Sequence, residues 1–176
     1  MAGNFLVLEA VNLFCGDHDP TASKHLTITE MQLPTLQEMY QDHHPGGSRV
    51  AIEIGLGIEK LAATFKLAGF DPDLYTQFGV GDRAKNTFTG YGVLRDKRTG
   101  SVSQAKAIMR GRLGQIEPDA FQRSELAGHN YGINEILHYE LYVGGAEKLY
   151  WDFWTQELRQ GGVDQNADER RILGII

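Results

Sequence analysis

One stretch constrains this chain more than any other: Ala105–Leu113 alternates with a period of two. Ala105, Ala107, Met109, Gly111 and Leu113 take one side, and Lys106, Arg110 and Arg112 fall on the other. Side chains along a β-strand alternate with period two, so Ala107–Glu117 reads as one long strand with an apolar and a cationic face. Such a strand is half-buried, and its open face is available to a partner. Nothing beside it resembles a catalytic group, so the stretch points toward an assembly part and away from an enzyme.

The same period recurs along the chain. Ile52, Ile54, Leu56 and Ile58 alternate with Ala51, Glu53, Gly55 and Gly57; after Glu59-Lys60 the phase flips to Leu61, Ala63, Phe65 and Leu67. Two runs with a phase change predict adjacent strands, or one strand broken by a bulge. Gly55 and Gly57 clear one face for the close approach of another backbone. Asp96–Gly100 predicts a hairpin tip between Thr87–Arg95 and Val102–Leu113. Ile133–Val143 alternates again, with Leu137, Tyr139, Leu141 and Val143 on one side. A turn at Val143–Glu147 then leads into a last strand carrying Leu149, Trp151 and Phe153. Early strands are expected at Val11–Cys15 and His25–Leu33.

Helices are few. Asp71 as N-cap, Pro72 in the first turn and Gly79 as a stop predict a short helix, with Leu74, Tyr75 and Phe78 facing the sheet. A second is expected within Asp164–Leu173, where Arg170 and Arg171 would complement the dipole in the last turn. The chain is therefore mainly β, and its 176 residues suit one domain, 1–176.

A net charge of −6 and a pI near 5.5 argue against a nucleic-acid-grasping surface. The charge is uneven. Residues 1–50 hold six acids and two Lys/Arg (net −4), 51–128 nine and eleven (net +2), and 129–176 eight and four (net −4). Complementary surfaces on identical copies would meet through such a pattern. No apolar run is long enough to span a membrane, and Met1–Ala10 lacks the basic start of a signal peptide. A single cysteine, Cys15, rules out an internal disulfide framework, fits a reducing cytoplasm, and reads as a small core hydrophobe.

No catalytic, cofactor-binding or metal constellation stands out. Of six histidines, the densest groups are Asp17-His18-Asp19 and His43-His44, on expected loops and without zinc-site spacing. His138 reads as a surface residue. Gly55-Leu56-Gly57 lacks the third glycine, the lysine and the following helix of a phosphate loop. The five serines are outside any nucleophile-elbow context, and Asp71/Asp73 and Asp168/Glu169 lie where helices attract acids. Arg110, Arg112 and Lys106 would pair with carboxylates across strands, with acids of an adjacent copy, or with phosphates. The polar stretch Gln41–Ser48 is either an ordinary hairpin tip or an arm reaching a neighbouring subunit.

Met109-Arg110-Gly111-Arg112 followed by Ile116-Glu117-Pro118 resembles the major tail tube proteins of contractile-tailed bacteriophages, a family that includes R-type pyocin tubes. Further similarities fall in order: Asn12-Leu13-Phe14 then Gly16; Leu33-Pro34-Thr35-Leu36; Tyr40 then Gly46-Gly47; and Ile54-Gly55-Leu56. The ending Gly161-Gly162-Val163-Asp164, then Arg170-Arg171-Ile172-Leu173-Gly174-Ile175, is also similar to the family's terminus. Together they cover about residues 11–176, with 1–10 as an N-terminal extension and 36–50 as an inter-subunit arm. His43-His44-Pro45 and the aromatics Trp151, Phe153 and Trp154 depart from the family pattern.

The resemblance implies two packed antiparallel sheets, sandwich- or barrel-like, with one short flanking helix and a short C-terminal helix. It implies hexameric rings joined through strands into an inner barrel and stacked into a hollow tube. The implied partners are other copies of the chain, a contractile sheath, a tape measure protein during assembly, and genomic DNA passing through without specific binding; no cofactor, metal or membrane is implied. The place would be the virion tail, assembled in the host cytoplasm. Candidate inter-subunit contacts are His43, His44, Pro45, Gly46 and Gly47 of the arm, with Arg110, Arg112, Arg170 and Arg171. Val50–Leu67 and Lys106–Leu113 are expected at intra-ring and lumen-facing positions. The alternatives are a type VI secretion tube protein and a ligand-binding β-sandwich using Tyr150, Trp151 and Trp154.

Overall fold

Long alternating segments can satisfy their backbone groups only by pairing, and here nearly all pair antiparallel. A computed structural model describes residues 5–16, 18–79 and 85–175. The strands are β1 Leu6–Cys15, β2 Ile28–Gln32, β3 Glu38–His43, β4 Ile52–Ile58, β5 Ala63–Ala68, β6 Lys85–Asp96, β7 Val102–Pro118, β8 Gly128–Val143, β9 Ala146–Asp152, β10 Glu157–Gln160 and β11 Val163–Asp164. Two helices, α1 Pro72–Thr76 and α2 Ala167–Leu173, complete the fold together with a 3-10 turn at Pro20–Ala22.

Nine strands form one sheet, in the order β1-β6-β7-β8-β9-β10-β11, with β5 also on β8 and β2 on β5. β8 makes this possible by dividing one edge. Gly128–Ile133 pair with β5, and His138–Val143 pair with β9. Its other edge follows β7 throughout. The sheet therefore splits into two layers that share β7 and β8. One layer is β2-β5-β8-β7, built on the second half of β7; the other is β1-β6-β7-β8-β9-β10-β11. β3 and β4 form a separate two-stranded sheet, the arm. The architecture is mainly β and sandwich-like, as expected, and among the described residues no barrel closes.

The split has a local cause. Opposite Gly111, β8 inserts Glu135–Leu137, because Arg110 pairs with His138 while Arg112 pairs with Asn134. Glu135 takes φ 49°, an uncommon conformation for a residue with a side chain. A Cβ on Gly111 would lie 2.9 Å from the Asn134 carbonyl oxygen, so only glycine fits under the bulge.

The core lies between the layers: Leu13, Phe65, Leu67, Leu74, Phe88, Met109, Leu113, Tyr131, Ile133 and Tyr139 are all buried. Ala107, Met109, Gly111 and Leu113 face inward, and Arg110 faces outward, as the alternation predicts. Met31 of β2 crosses over Gly90 of β6, where a Cβ would meet its methyl at 2.5 Å. Phe65 stacks on Tyr131, ring centroids 4.9 Å apart. Cys15 is buried, and loss of hydration pushes its thiol up to about 12.

Several expectations change. Residues 6–10, within the stretch read as an extension, are the first half of β1 and pair with β6. His25–Leu33 contracts to β2, and β8 begins five residues before Ile133. β4 and β5 follow each other in the chain but sit in different sheets, neither paired with the other. Phe153 is in a turn, and two further strands follow it. The Asp71 carboxylate caps α1 by accepting from the Leu74 N–H, and Leu74 is buried. Tyr75 and Phe78 remain 41% and 43% exposed; Tyr75 meets His129 of β8 edge-on, ring centroids 5.9 Å apart, and Phe78, past the end of the helix, bridges to Leu113 of β7.

Candidate functional site: unpaired edges and an uncovered arm

The arm is an amphipathic hairpin with nothing over either face. Every residue of β3 and β4 is exposed. Register places Gln41 opposite Ile54 and His43 opposite Ile52, on the side of Leu56. Tyr40 and Asp42 pair with Gly55 and Glu53 on the other side. One face is therefore aliphatic, with Ile52, Ile54 and Leu56 exposed by 54%, 43% and 58%. The other is acidic: the Tyr40 hydroxyl donates to Glu38 Oε2 (2.6 Å), and that carboxylate raises the phenol's pKa. Gly57 at φ +110° marks the shift that reverses the alternation near the base. Nothing lies within 4 Å of where its Cβ would be, so the backbone approach expected at this glycine does not occur within the subunit. His44 Nε2 lies 3.1 Å from the Ser48 carbonyl at the tip. His43 ends β3, Pro45 begins the turn, and Gly46 and Gly47 have open space around them.

Among the described residues other edges are open, at the end strands β1 and β11 and at two places in the shorter layer. β2 pairs with β5 on one side only. β6 leaves β7 at Arg112, so among the described residues no strand pairs with the outer side of Gly114–Pro118. These edges bound the layer β2-β5-β8-β7, whose outward face carries Glu30, Gln32, Thr64, Lys66, Asn130, Gln115 and Glu117 around a hollow of about 320 Å³. These outward side chains are polar, and Met31, Phe65 and Tyr131 also line the hollow. Its lysine is tied to Asp119 (2.8 Å), which holds that carboxyl below the usual range.

The predicted arginines do not gather. Arg110 is exposed on the outer face of β7, level with His138. Arg112 pairs with Glu135 (2.8 Å), which also accepts from Lys85 (3.1 Å), so the cross-strand alternative holds there. Arg170 anchors α2 to Asp164, and Arg171 reaches Asp168 (3.1 Å) at the surface. The arm residues and these cations thus occupy different parts of the subunit.

Sequence reasoning missed an ionic lattice on the outer face. His138 is half-buried, not a free surface residue: Nδ1 is 3.0 Å from Asp152 and Nε2 2.8 Å from Glu140. Arg159 grips Glu147 through two bonds (2.9 and 2.8 Å), touches Glu157, and lies over the Tyr150 ring at 3.7 Å. Its guanidinium holds the Glu147 carboxyl below its ordinary range. His138 and Glu140 are two apart and so visibly on one face, but Asp152 joins them only through the β8–β9 register. Among the described residues no group of three or more His, Cys, Asp or Glu is placed to hold a metal ion. Among the described residues no helix is long and apolar enough to cross a membrane.

The described residues of the subunit thus leave strand edges and both faces of the arm uncovered. The family model of phage tail tube protein FII matches residues 8–174, and the chain belongs to that family. Solved structures share the fold. One is a chain of an extracellular contractile injection system, the PVC sheath–tube complex in the extended state. It has TM-score 0.54 and 8% identity, with 76% of this chain and 88% of that one covered. Another is from the PVC sheath/tube terminator in the extended state, with TM-score 0.52, 8% identity, and 76% and 92% covered. No curated protein matches in sequence.

Proposed function

We propose that this protein is the structural subunit of a tail tube: hexameric rings, stacked into a hollow tube inside a contractile sheath, through which DNA passes. The observation that carries the reading is the four-stranded layer with one open edge at β2 and another at Gly114–Pro118. Edges five residues long on opposite sides of one antiparallel layer invite pairing between copies. A head-to-tail contact closes into a ring when its rotation allows, and closure removes the aggregation hazard of both edges. The outward face of that layer then lines the lumen. It is polar with two acids and one lysine, so it repels phosphates more than it holds them. Of the stretches expected at such positions, Val50–Leu67 supplies β5 to this face, and Lys106–Leu113 leads directly into the open part of β7.

The arm, with His43–Gly47 at its end, contacts neighbouring subunits. Its aliphatic face has no partner among the described residues, and a two-stranded hairpin is marginal alone in water. Arg110, Arg112, Arg170 and Arg171 contribute further contacts between copies or with the sheath. The role is mechanical and not enzymatic: self-assembly, then passive conduction while the sheath drives the tube. The setting is a virion tail or a tail-like particle, assembled in the host cytoplasm around a tape measure protein. Sheath–tube complexes among the structures that share the fold support this setting.

Negative-stain electron microscopy over a concentration series tests the reading. Six-fold rings or tubes are expected; monomers at every concentration, even with an added tail initiator, overturn it. A variant lacking His43–Ser48 should stay folded and monomeric, and normal tubes from it would remove the arm's role.

A further inference from the structure

The C-terminal helix is exposed where a short helix should not be. No residue of α2 is buried, and Ile172 and Leu173 are 78% and 70% exposed. Seven residues are too few to hold a helix by propensity alone. The Arg170–Asp164 pair and the left-handed cap at Gly174 (φ 69°) fasten its ends, leaving a convex two-residue apolar knob in water.

A socket lies on the same subunit. Ile58, Leu61, Ile136, Leu149, Trp151 and Leu158 wall a groove of about 640 Å³ between the arm base and the β8 bulge. Asn166, just before α2, stands on its rim, yet the subunit's own knob remains in water. Also on the rim are Glu59 and Lys60, which make no ion pair among the described residues. The helix offers the complementary set, Asp168, Glu169 and Arg171. The arm's aliphatic face is a flat pleated surface and fits a concave pocket less well than a knob does.

We propose that α2 of one copy docks into this groove of a second copy, Ile172 and Leu173 entering it and Arg171 meeting Glu59. The proposal rests on the tube reading for the presence of a second copy. Because one surface is donor and the other acceptor, the contact is head-to-tail and propagates around a ring or along a tube.

Cys15 gives a quiet background for cysteine cross-linking, being buried with a thiol that stays protonated near neutral pH. In a Glu59→Cys/Arg171→Cys double variant, oxidation of assembled tubes should give a ladder of linked subunits on a denaturing, non-reducing gel. Leu173→Asp should raise the protein concentration needed for tubes by about tenfold or more while leaving the monomer's melting temperature unchanged, and Leu173→Met should restore assembly. Tubes without a ladder, a disulfide closed within one chain, or a ladder only from Glu59→Cys/Gln41→Cys would overturn the docking and leave the tube reading intact. Failure of the unmodified protein to form rings or tubes would instead remove the tube reading.

Discussion

β7–β8 and β3–β4 are both antiparallel pairs whose sequences alternate apolar and polar residues, yet they end in opposite environments. Met109, Leu113, Ile133 and Tyr139 are buried within the subunit, whereas Ile52, Ile54 and Leu56 face water. The alternation is legible in one strand of each pair, β7 and β4. Alternation specifies that a face must be covered and leaves open whether the cover comes from the same chain. In β7–β8 the second layer supplies it. In the arm no described residue does.

That contrast can be broken by substitution. Phe88→Ala, in the core beside β7, should cost about 3–5 kcal/mol in urea unfolding. A cost under about 1 kcal/mol would mean that the subunit core is loosely packed and closer in kind to the arm. Gly111→Ala should cost about 1–3 kcal/mol, because its methyl meets backbone at the bulge. A neutral result would show that β8 can slide there.

Acid titration should give a shallower loss. Bonding to Lys97 and Arg95 lowers the Glu9 pKa, to Lys66 that of Asp119, and to Arg159 that of Glu147. Carboxyls with folded values below their unfolded values stabilise fully above the ordinary carboxylate range, and the contribution fades as pH falls through the depressed values. Melting temperature should therefore hold from pH 7 to about 5 and decline below about 4. At the other extreme, burial pushes the Tyr139 phenol up to about 12, so its contribution is intact below about pH 10 and lost as pH rises through 12. The smallest change in monomer stability is expected from Ile54→Ser in the arm, within about 0.5 kcal/mol, together with loss of tubes by electron microscopy. A large destabilisation there would show that the arm is covered within its own subunit after all.

Much of this was legible in the residues. The inward set Ala107, Met109, Gly111 and Leu113 followed from side-chain period alone, and Asp71 with Pro72 located α1. What failed to show has physical causes. Cap residues mark where a helix begins and leave its rotation open, so how far Tyr75 and Phe78 stay exposed did not show. β10 and β11 are four and two residues long, too short to display a period. Gly128 and Gly132 hid the first third of β8, since glycine carries no apolar signal. The arm tip was visible as a polar Pro/Gly stretch, but its isolation from the main sheet depends on the pairing of β5 with β2 and β8. The lattice around His138 and Arg159 needed the registers of three strands.

The sharing of β8 between layers has a mechanical meaning. Six of its residues run in one layer and six in the other, so force on either layer reaches its counterpart through covalent chain. Pulled lengthwise, the bonds between β7 and β8 bear load side by side and must fail together. The arm's ladder, open at both edges, peels one rung at a time. Under such a load the two layers would therefore hold together while the arm, with no second layer behind it, yields first.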